Sequence, residues 1–140
     1  MAARAHGRLL NTYGPTETTV VATVADLTEW VGETVPIGRP VAELSCRIGD
    51  DGELLISGPQ LATGYLDQPD LTAGRFRNGP SGREYRTGDR VHRNPAGDLE
   101  FLGRLDSQLK ISGIRIEPGE IESALLAVDG IEQAGIRTLT

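Results

Sequence analysis

The chain has 140 residues and a formal net charge of −6. This is the length of one domain or a piece of one, and the acidic balance argues against a nucleic-acid or anionic-membrane partner, because phosphate groups bind basic surfaces. The single cysteine, Cys46, excludes an internal disulfide and predicts a buried strand thiol in a reducing compartment, and the isolated His6 and His92 predict no metal site. No run of eighteen apolar residues occurs, so we expect a soluble, cytoplasmic protein.

Eighteen glycines and eight prolines separate short apolar runs, a pattern typical of turn-rich β structure. Asp-Gly and Asn-Pro turns predict tight hairpins at residues 49–52 and 94–98. Residues 69–73 open a short helical turn, and the glycine-rich residues 74–83 predict an exposed loop. The predicted strands are residues 9–12, 19–24, 42–48, 53–57, 85–86 continuing through 91–93, and 99–102.

The pattern changes after Arg104. Residues 109–116 alternate around Gly113 as a bent hairpin would, and Pro118, two glutamates and a later glycine predict a helix over residues 118–128. Its apolar stripe has no partner helix in the sequence, so we expect it to dock on the hairpin or on something outside this sequence, which suggests a truncated chain.

Residues 11–20 combine an aromatic ring, a turn, a hydroxyl and a carboxylate. The Gly14-Pro15 turn sends Tyr13 and the Thr16/Glu17 pair along opposite arms. A purine could stack on Tyr13 while Thr16 and Glu17 face phosphate and Mg²⁺, a cation that takes oxygen ligands. An ordinary surface turn followed by a strand is an equal alternative for this segment alone.

Two further segments carry charged groups beside glycines. Asp89, after Gly88, could accept two hydrogen bonds from a ribose diol, or it could simply cap a turn. Arg104 could reach a phosphate or a sugar, or it could form a structural ion pair with Asp106 or Asp89.

Taken together and in order, these segments resemble the adenylation domains of nonribosomal peptide synthetases, within the adenylate-forming, AMP-binding superfamily. Residues 11–17 are similar to the family's Asn-x-Tyr-Gly-Pro-Thr-Glu motif, and residues 36–40 to its Pro-Ile-Gly-Arg-Pro segment. The other similar segments are residues 52–66 (Gly-Glu-Leu through Gly-Tyr-Leu), 85–89 (Tyr-Arg-Thr-Gly-Asp) and 103–122 (Gly-Arg-x-Asp-x-Gln through the following helix). Five ordered motifs are far more specific than any one of them.

The resemblance implies an α+β fold in two parts. Residues 1–105 would be the C-terminal, β-barrel part of the large adenylation subdomain. Residues 106–140 would be the hinge and the first hairpin and helix of the small C-terminal subdomain.

The resemblance also implies the reaction. An amino or related acid would attack the α-phosphate of ATP to give an acyl adenylate, and a phosphopantetheine thiol on a peptidyl carrier protein would then take the acyl group. By motif position, Thr16 and Glu17 would be catalytic, with Thr16 on the α-phosphate and Glu17 holding Mg²⁺. Nucleotide binding would involve Asn11, Tyr13 on adenine, Gly14, Thr16, Asp89 on the ribose hydroxyls and Arg104 assisting it.

The remaining implied roles concern specificity and domain movement. Thr12, Val20 and Val21 match pocket-lining positions, and two valines favour an apolar or small acid because an unpaired buried charge is costly. Asp106 corresponds to the hinge. Lys110, Gly113 and Arg115 lie in the loop that serves thiol transfer, where Lys110 is expected to be a loop cation rather than the adenylation lysine.

Departures from the family pattern limit this assignment. Thr63 and Ser112 stand where the motifs have arginine, and neither a glycine-rich phosphate loop before Asn11 nor a lysine motif after the helix is present. We therefore expect the chain to need the remainder of an adenylation domain for catalysis. The alternative is a non-catalytic module that binds a nucleotide or a carrier protein.

Overall fold

The computed structural model describes residues 7–80, 82–106, 109–111, 114–116 and 118–136. The chain divides into two compact units, Met1–Gly103 and Arg104–Thr140. In the described residues the strand pairs with a defined register are antiparallel and few helices accompany them, which confirms the α+β class. In the described residues no helix has the length and apolarity needed to cross a membrane.

The first unit contains two sheets. Strands β1, β2 and β3 form one, and β4, β5, β7 and β6 form the other in that order, with β8 paired to β7. The bounds are β1 Leu10–Tyr13, β2 Thr23–Asp26, β3 Arg39–Pro40, β4 Ser45–Ile48, β5 Glu53–Ser57, helix α1 Pro69–Arg75, β6 Phe76–Gly79, β7 Gly82–Arg93 and β8 Leu99–Arg104.

Strand β5 is the centre of the larger sheet, and all five of its residues are buried. Leu54 and Ile56 join the apolar core on one face. On the other face Glu53 is covered by Arg86, whose guanidinium lies 2.7 Å from the carboxylate. A strand that is buried on both faces is usually apolar along its whole length, because an unpaired buried charge is costly. The ion pair with Arg86 explains how Glu53 can be buried in β5. The core consists of Ala22, Ile37, Leu44, Cys46, Leu54, Ile56, Val91 and Leu99.

Both predicted hairpins are confirmed. Gly52, at a φ of 82°, closes the turn between β4 and β5 by donating its N–H to the Gly49 carbonyl at 3.0 Å. Gly97, at a φ of 88°, closes the turn between β7 and β8 by donating to Asn94 at 2.9 Å. These are backbone conformations that glycine adopts without the penalty a Cβ imposes.

The predicted exposed loop over residues 74–83 is wrong. Its middle is strand β6, which pairs with β7 from Phe76 opposite Tyr85 to Gly79 opposite Gly82. Phe76 is only 6% exposed and packs against the Tyr65 and Tyr85 rings, with centroids 5.9 and 5.0 Å away. Burial of this aromatic ring decides the structure, and the glycines serve the hairpin.

The strand predicted from residue 19 begins later, at Thr23. Thr19 and Val20 have φ values of 58° and 70°, which are left-handed conformations that β-branched residues rarely adopt. The chain reverses there, and the Ala22 N–H then donates to the Tyr13 carbonyl at 2.8 Å.

The second unit contains the predicted hairpin and helix. Strands β9 Leu109–Ile111 and β10 Ile114–Ile116 pair antiparallel, and helix α2 spans Pro118–Leu126. The predicted helix is thus confirmed, although it ends two residues earlier. Ile121 and Leu125 on the predicted stripe are 39% and 38% exposed.

Candidate functional site

Tyr13 ends strand β1, and the chain then turns sharply into a single 3₁₀ turn, Thr16–Thr18. Gly14 is required here by space, because a Cβ would lie 2.5 Å from the Val20 carbonyl oxygen. The turn predicted at Gly14-Pro15 is therefore confirmed. It separates Tyr13, at the end of β1, from the 3₁₀ turn that carries Thr16 and Glu17.

Glu17 lies inside this turn and is only 6% exposed. Its Oε1 accepts a hydrogen bond from the Tyr65 hydroxyl at 2.6 Å, and its backbone carbonyl accepts one from the Ala62 N–H at 2.8 Å. Thr16, the other predicted catalytic residue, is exposed. Glu17 is thus held in place by hydrogen bonds to both its backbone and its side chain.

Asp89 follows an irregularity in strand β7. The β5–β7 register pairs Leu55 with Arg86 and Glu53 with Arg90, so Leu54 alone stands against Thr87, Gly88 and Asp89. Bulges of this kind redirect side chains and are frequent beside active sites. Here Gly88 has a φ of 72°, and Asp89 is 6% exposed.

Glu53 stabilises the bulge. Its Oε1 accepts the Gly88 N–H at 2.8 Å, and its Oε2 accepts the Arg86 Nε–H at 2.8 Å. The Thr87 hydroxyl adds a bond to the Leu54 carbonyl at 2.8 Å. The backbone groups that the bulge removes from the regular ladder are therefore hydrogen-bonded to side chains.

The Tyr13 hydroxyl donates a hydrogen bond to Asp89 Oδ2. Burial raises the pKa of Tyr13 well above its usual range, and the neighbouring Asp89 charge raises it further. Tyr13 therefore stays protonated and remains a donor. Two predicted nucleotide-binding residues, 76 positions apart, are in direct contact.

The other predicted residues of this segment differ in their surroundings. The Asn11 side chain donates its Nδ2–H to the Pro36 carbonyl at 2.8 Å, a contact that ties β1 to the segment before β3. Of the predicted substrate-pocket residues, Thr12 is exposed, Val20 is 70% exposed and Val21 is half-buried.

Arg104 and Asp106 belong to the second unit. The Arg104 Nε–H and Nη2–H donate to the two Asp106 carboxylate oxygens at 2.8 and 2.6 Å. The ion pair with Asp106 that the sequence allowed for Arg104 is therefore present. Lys110 and Arg115 are register partners in the β9–β10 hairpin, whereas Gly113 and Ser112 lie outside the described residues.

Three residues of the site were not singled out from the sequence: Glu53, Tyr65 and Arg83. Glu53 and Tyr65 belong to the Gly-Glu-Leu and Gly-Tyr-Leu segments, so a signal was present, but their partners are distant in sequence. Arg83 donates to the carbonyls of Ala62 and Thr63 at 2.5 and 2.7 Å. A cation thus reaches the backbone of Thr63, the position where the motif has arginine.

In the described part of the chain, no three His, Cys, Asp or Glu side chains lie together as a metal cage. A single buried carboxylate such as Glu17 fits Mg²⁺, which proteins usually bind through one or two carboxylates together with substrate phosphates. Cys46 is 8% exposed in β4, as predicted, and burial raises the pKa of its thiol to about 11. His92 lies 3.3 Å from Glu100.

Comparisons with known proteins find similar sequences and similar structures. The sequence model of the family described as AMP-binding enzyme matches residues 1–66. Phosphinothricin tripeptide synthetase PhsC of Streptomyces viridochromogenes is 48% identical over 141 residues, covering 90% of this chain and 13% of that protein. Bacitracin synthase 1 of Bacillus licheniformis is 43% identical over 142 residues, covering 92% and 3%.

Among solved structures, PA1221, described as an NRPS protein containing adenylation and PCP domains, is similar with a TM-score of 0.80 and 30% identity. The match covers 90% of this chain and 29% of that one. The chain therefore spans a small part of its curated relatives and under a third of this structure.

Proposed function

Because the AMP-binding enzyme model matches residues 1–66 and the similar structure PA1221 is described as an NRPS protein, we propose that the chain belongs to the nonribosomal peptide synthetase branch of this family and forms part of an amino-acid-activating adenylation domain. The complete domain would join an amino or related acid to ATP, giving an acyl adenylate and pyrophosphate. It would then pass the acyl group to the phosphopantetheine thiol of a carrier protein. A carrier protein as partner is supported by PA1221, whose described domains are adenylation and PCP domains.

The observation that carries this proposal is the contact between Tyr13 and Asp89. The two residues come from separate motifs that the resemblance assigns to adenine and to ribose, which are adjacent groups of one nucleotide. Their hydrogen bond brings the two motifs together. A chance resemblance of two short segments would not require them to meet.

In this proposal the Tyr13 ring packs against adenine and Asp89 accepts the ribose hydroxyls, with Arg104 assisting. Thr16, which is exposed, donates to the α-phosphate. Glu17 holds Mg²⁺, which when bound supplies charge neutralisation to the phosphates. Nucleotidyl transfer depends chiefly on such positioning and neutralisation.

The acid would bind beside Thr12, Val20 and Val21. The two valines favour a small or apolar substituent, since neither can pair a buried charge. In the second unit, Asp106 would be the hinge, and the β9–β10 hairpin would serve thiol transfer through Lys110, Gly113 and Arg115. A cytoplasmic location would supply ATP and keep the carrier thiol and Cys46 reduced.

Amino-acid-dependent pyrophosphate exchange tests the proposal, with this chain joined to the remainder of an adenylation domain. We expect exchange in the assembled protein and about a tenfold higher KM for ATP in Asp89→Asn, because the ribose loses a charged acceptor. Asp98→Asn is the matched control, since Asp98 pairs with Arg39 at 2.7 Å on a hairpin. AMP binding without exchange for any acid would favour the non-catalytic module.

A further inference from the structure

Residues 60–65, here called the clamp segment, hold the 3₁₀ turn that carries Glu17. The Thr19 hydroxyl donates to the Gln60 carbonyl at 2.8 Å. The Ala62 N–H and the Tyr65 hydroxyl donate to the Glu17 carbonyl and carboxylate. Both the backbone and the side chain of Glu17 are therefore fixed by one neighbouring segment.

Arg83 on strand β7 holds the clamp segment in turn. Its two Nη groups donate to the Ala62 and Thr63 carbonyls, and its guanidinium stacks 4.2 Å above the Phe76 ring. A planar guanidinium can bond two carbonyls while stacking on an aromatic face, which a lysine cannot do. The clamp segment is thereby anchored to the five-stranded sheet.

The Tyr65 ring has its own supports. It packs edge-on against Phe76, and the Tyr65 N–H donates to the Thr72 hydroxyl at 2.9 Å. Gly64 lets this approach occur, because a Cβ there would lie 2.6 Å from Thr72 Cγ2. These contacts fix the ring and the backbone of Tyr65, so the hydroxyl oxygen is held within hydrogen-bonding distance of the Glu17 carboxylate.

We propose that Tyr65 and Arg83 are positioning residues for Glu17: Arg83 fixes the clamp segment, and Tyr65 fixes the orientation of the carboxylate that would hold Mg²⁺. The inference rests on the proposed role of Glu17 as the Mg²⁺ ligand. It also gives Arg83 a role at Thr63, where the motif's arginine is replaced. A positioning residue acts through its effect on Glu17 and touches no substrate.

Hydrogen–deuterium exchange on the full chain provides the first test and needs no activity. Tyr65→Phe keeps the ring packing and removes the bond to Glu17, and Arg83→Ala releases the two carbonyls. We expect amide exchange at residues 16–19 to accelerate at least about threefold in both variants. Arg93→Ala is the matched control, because Arg93 also bonds two carbonyls, those of Gly97 and Cys46.

Unchanged exchange at residues 16–19 in Tyr65→Phe and Arg83→Ala would overturn the inference. Equal acceleration throughout the five-stranded sheet would also overturn it, since that pattern reports a loss of overall stability. Arg83→Lys, which keeps the charge and one bond, is expected to fall between Arg83→Ala and the unsubstituted chain. It covers the case in which Arg83→Ala does not fold.

The second test separates positioning from a general structural role. In the assembled adenylation protein, Tyr65→Phe should raise the Mg²⁺ concentration for half-maximal pyrophosphate exchange about tenfold, with the KM for the acid unchanged. An equal change in both values would contradict a role through Glu17. If the unsubstituted assembly has no exchange activity, the proposed function fails, and the amide-exchange result alone decides the positioning inference.

Discussion

Replacing Glu53 by alanine tests whether a buried carboxylate maintains the bulge that carries Asp89. The change leaves the buried Gly88 N–H without its acceptor, which costs about 1–3 kcal/mol. It also removes the ion pair to Arg86, whose side chain is 38% exposed, so solvent limits that contribution to about 1 kcal/mol at most. We therefore expect the free energy of unfolding to fall by about 1–4 kcal/mol.

Urea unfolding of the full chain, followed by far-UV circular dichroism, measures this loss. Glu53→Gln is the control, because its amide oxygen can still accept the Gly88 N–H while the ion pair is lost, and it should cost about 1 kcal/mol. A loss below about 0.5 kcal/mol in Glu53→Ala would refute the reasoning, because substitutions of exposed residues commonly change the free energy of unfolding by that amount. Equal losses in both variants would assign the effect to Arg86 instead.

Two further predictions concern backbone strain and thiol ionisation. Gly38→Ala should lower the free energy of unfolding by about 3 kcal/mol or more, because Gly38 has a φ of 83° and its Cβ would lie 1.9 Å from the Val24 carbonyl oxygen. Gly82→Ala is the control, because Gly82 has a φ of 96° but its Cβ would meet open space; it should lower the free energy of unfolding by only about 1–2 kcal/mol in the same urea titration. The Cys46 pKa of about 11 means that its thiolate fraction at pH 8 is about one in a thousand. Iodoacetamide should therefore label native Cys46 at least about a hundredfold more slowly than the urea-unfolded thiol at pH 8, with the native rate rising toward pH 11; comparable rates would contradict the burial.

Local turn chemistry made much of the fold predictable. The hairpins closed by Gly52 and Gly97 need φ values of 82° and 88°, which few residues other than glycine adopt, so sequence and structure coincide there. The start of helix α2 at Pro118 is similarly local, because proline's fixed φ suits a first helical turn. Such features depend on a few neighbouring residues.

The errors came from residues whose conformation depends on distant partners. Phe76 lies in a glycine-rich stretch, yet its ring is buried between two tyrosines, and this burial forms strand β6. Thr19 and Val20 have strong β propensity, but the 3₁₀ turn and the return to the Tyr13 carbonyl impose left-handed backbone on both. Tertiary packing overrides local propensity at these positions.

The candidate site shows the same division between local and distant information. Sequence motifs named Tyr13, Glu17 and Asp89, but their supports come from other segments: Tyr65 contacts Glu17, and Glu53 bonds the Gly88 N–H beside Asp89. A buried carboxylate or phenol needs such partners, because burial without hydrogen bonds is costly. The segment of residues 52–66, which carries both Glu53 and Tyr65, therefore has a physical reason to accompany the nucleotide motifs: it supplies the hydrogen bonds that allow a carboxylate such as Glu17 and a backbone bulge beside Asp89 to be buried.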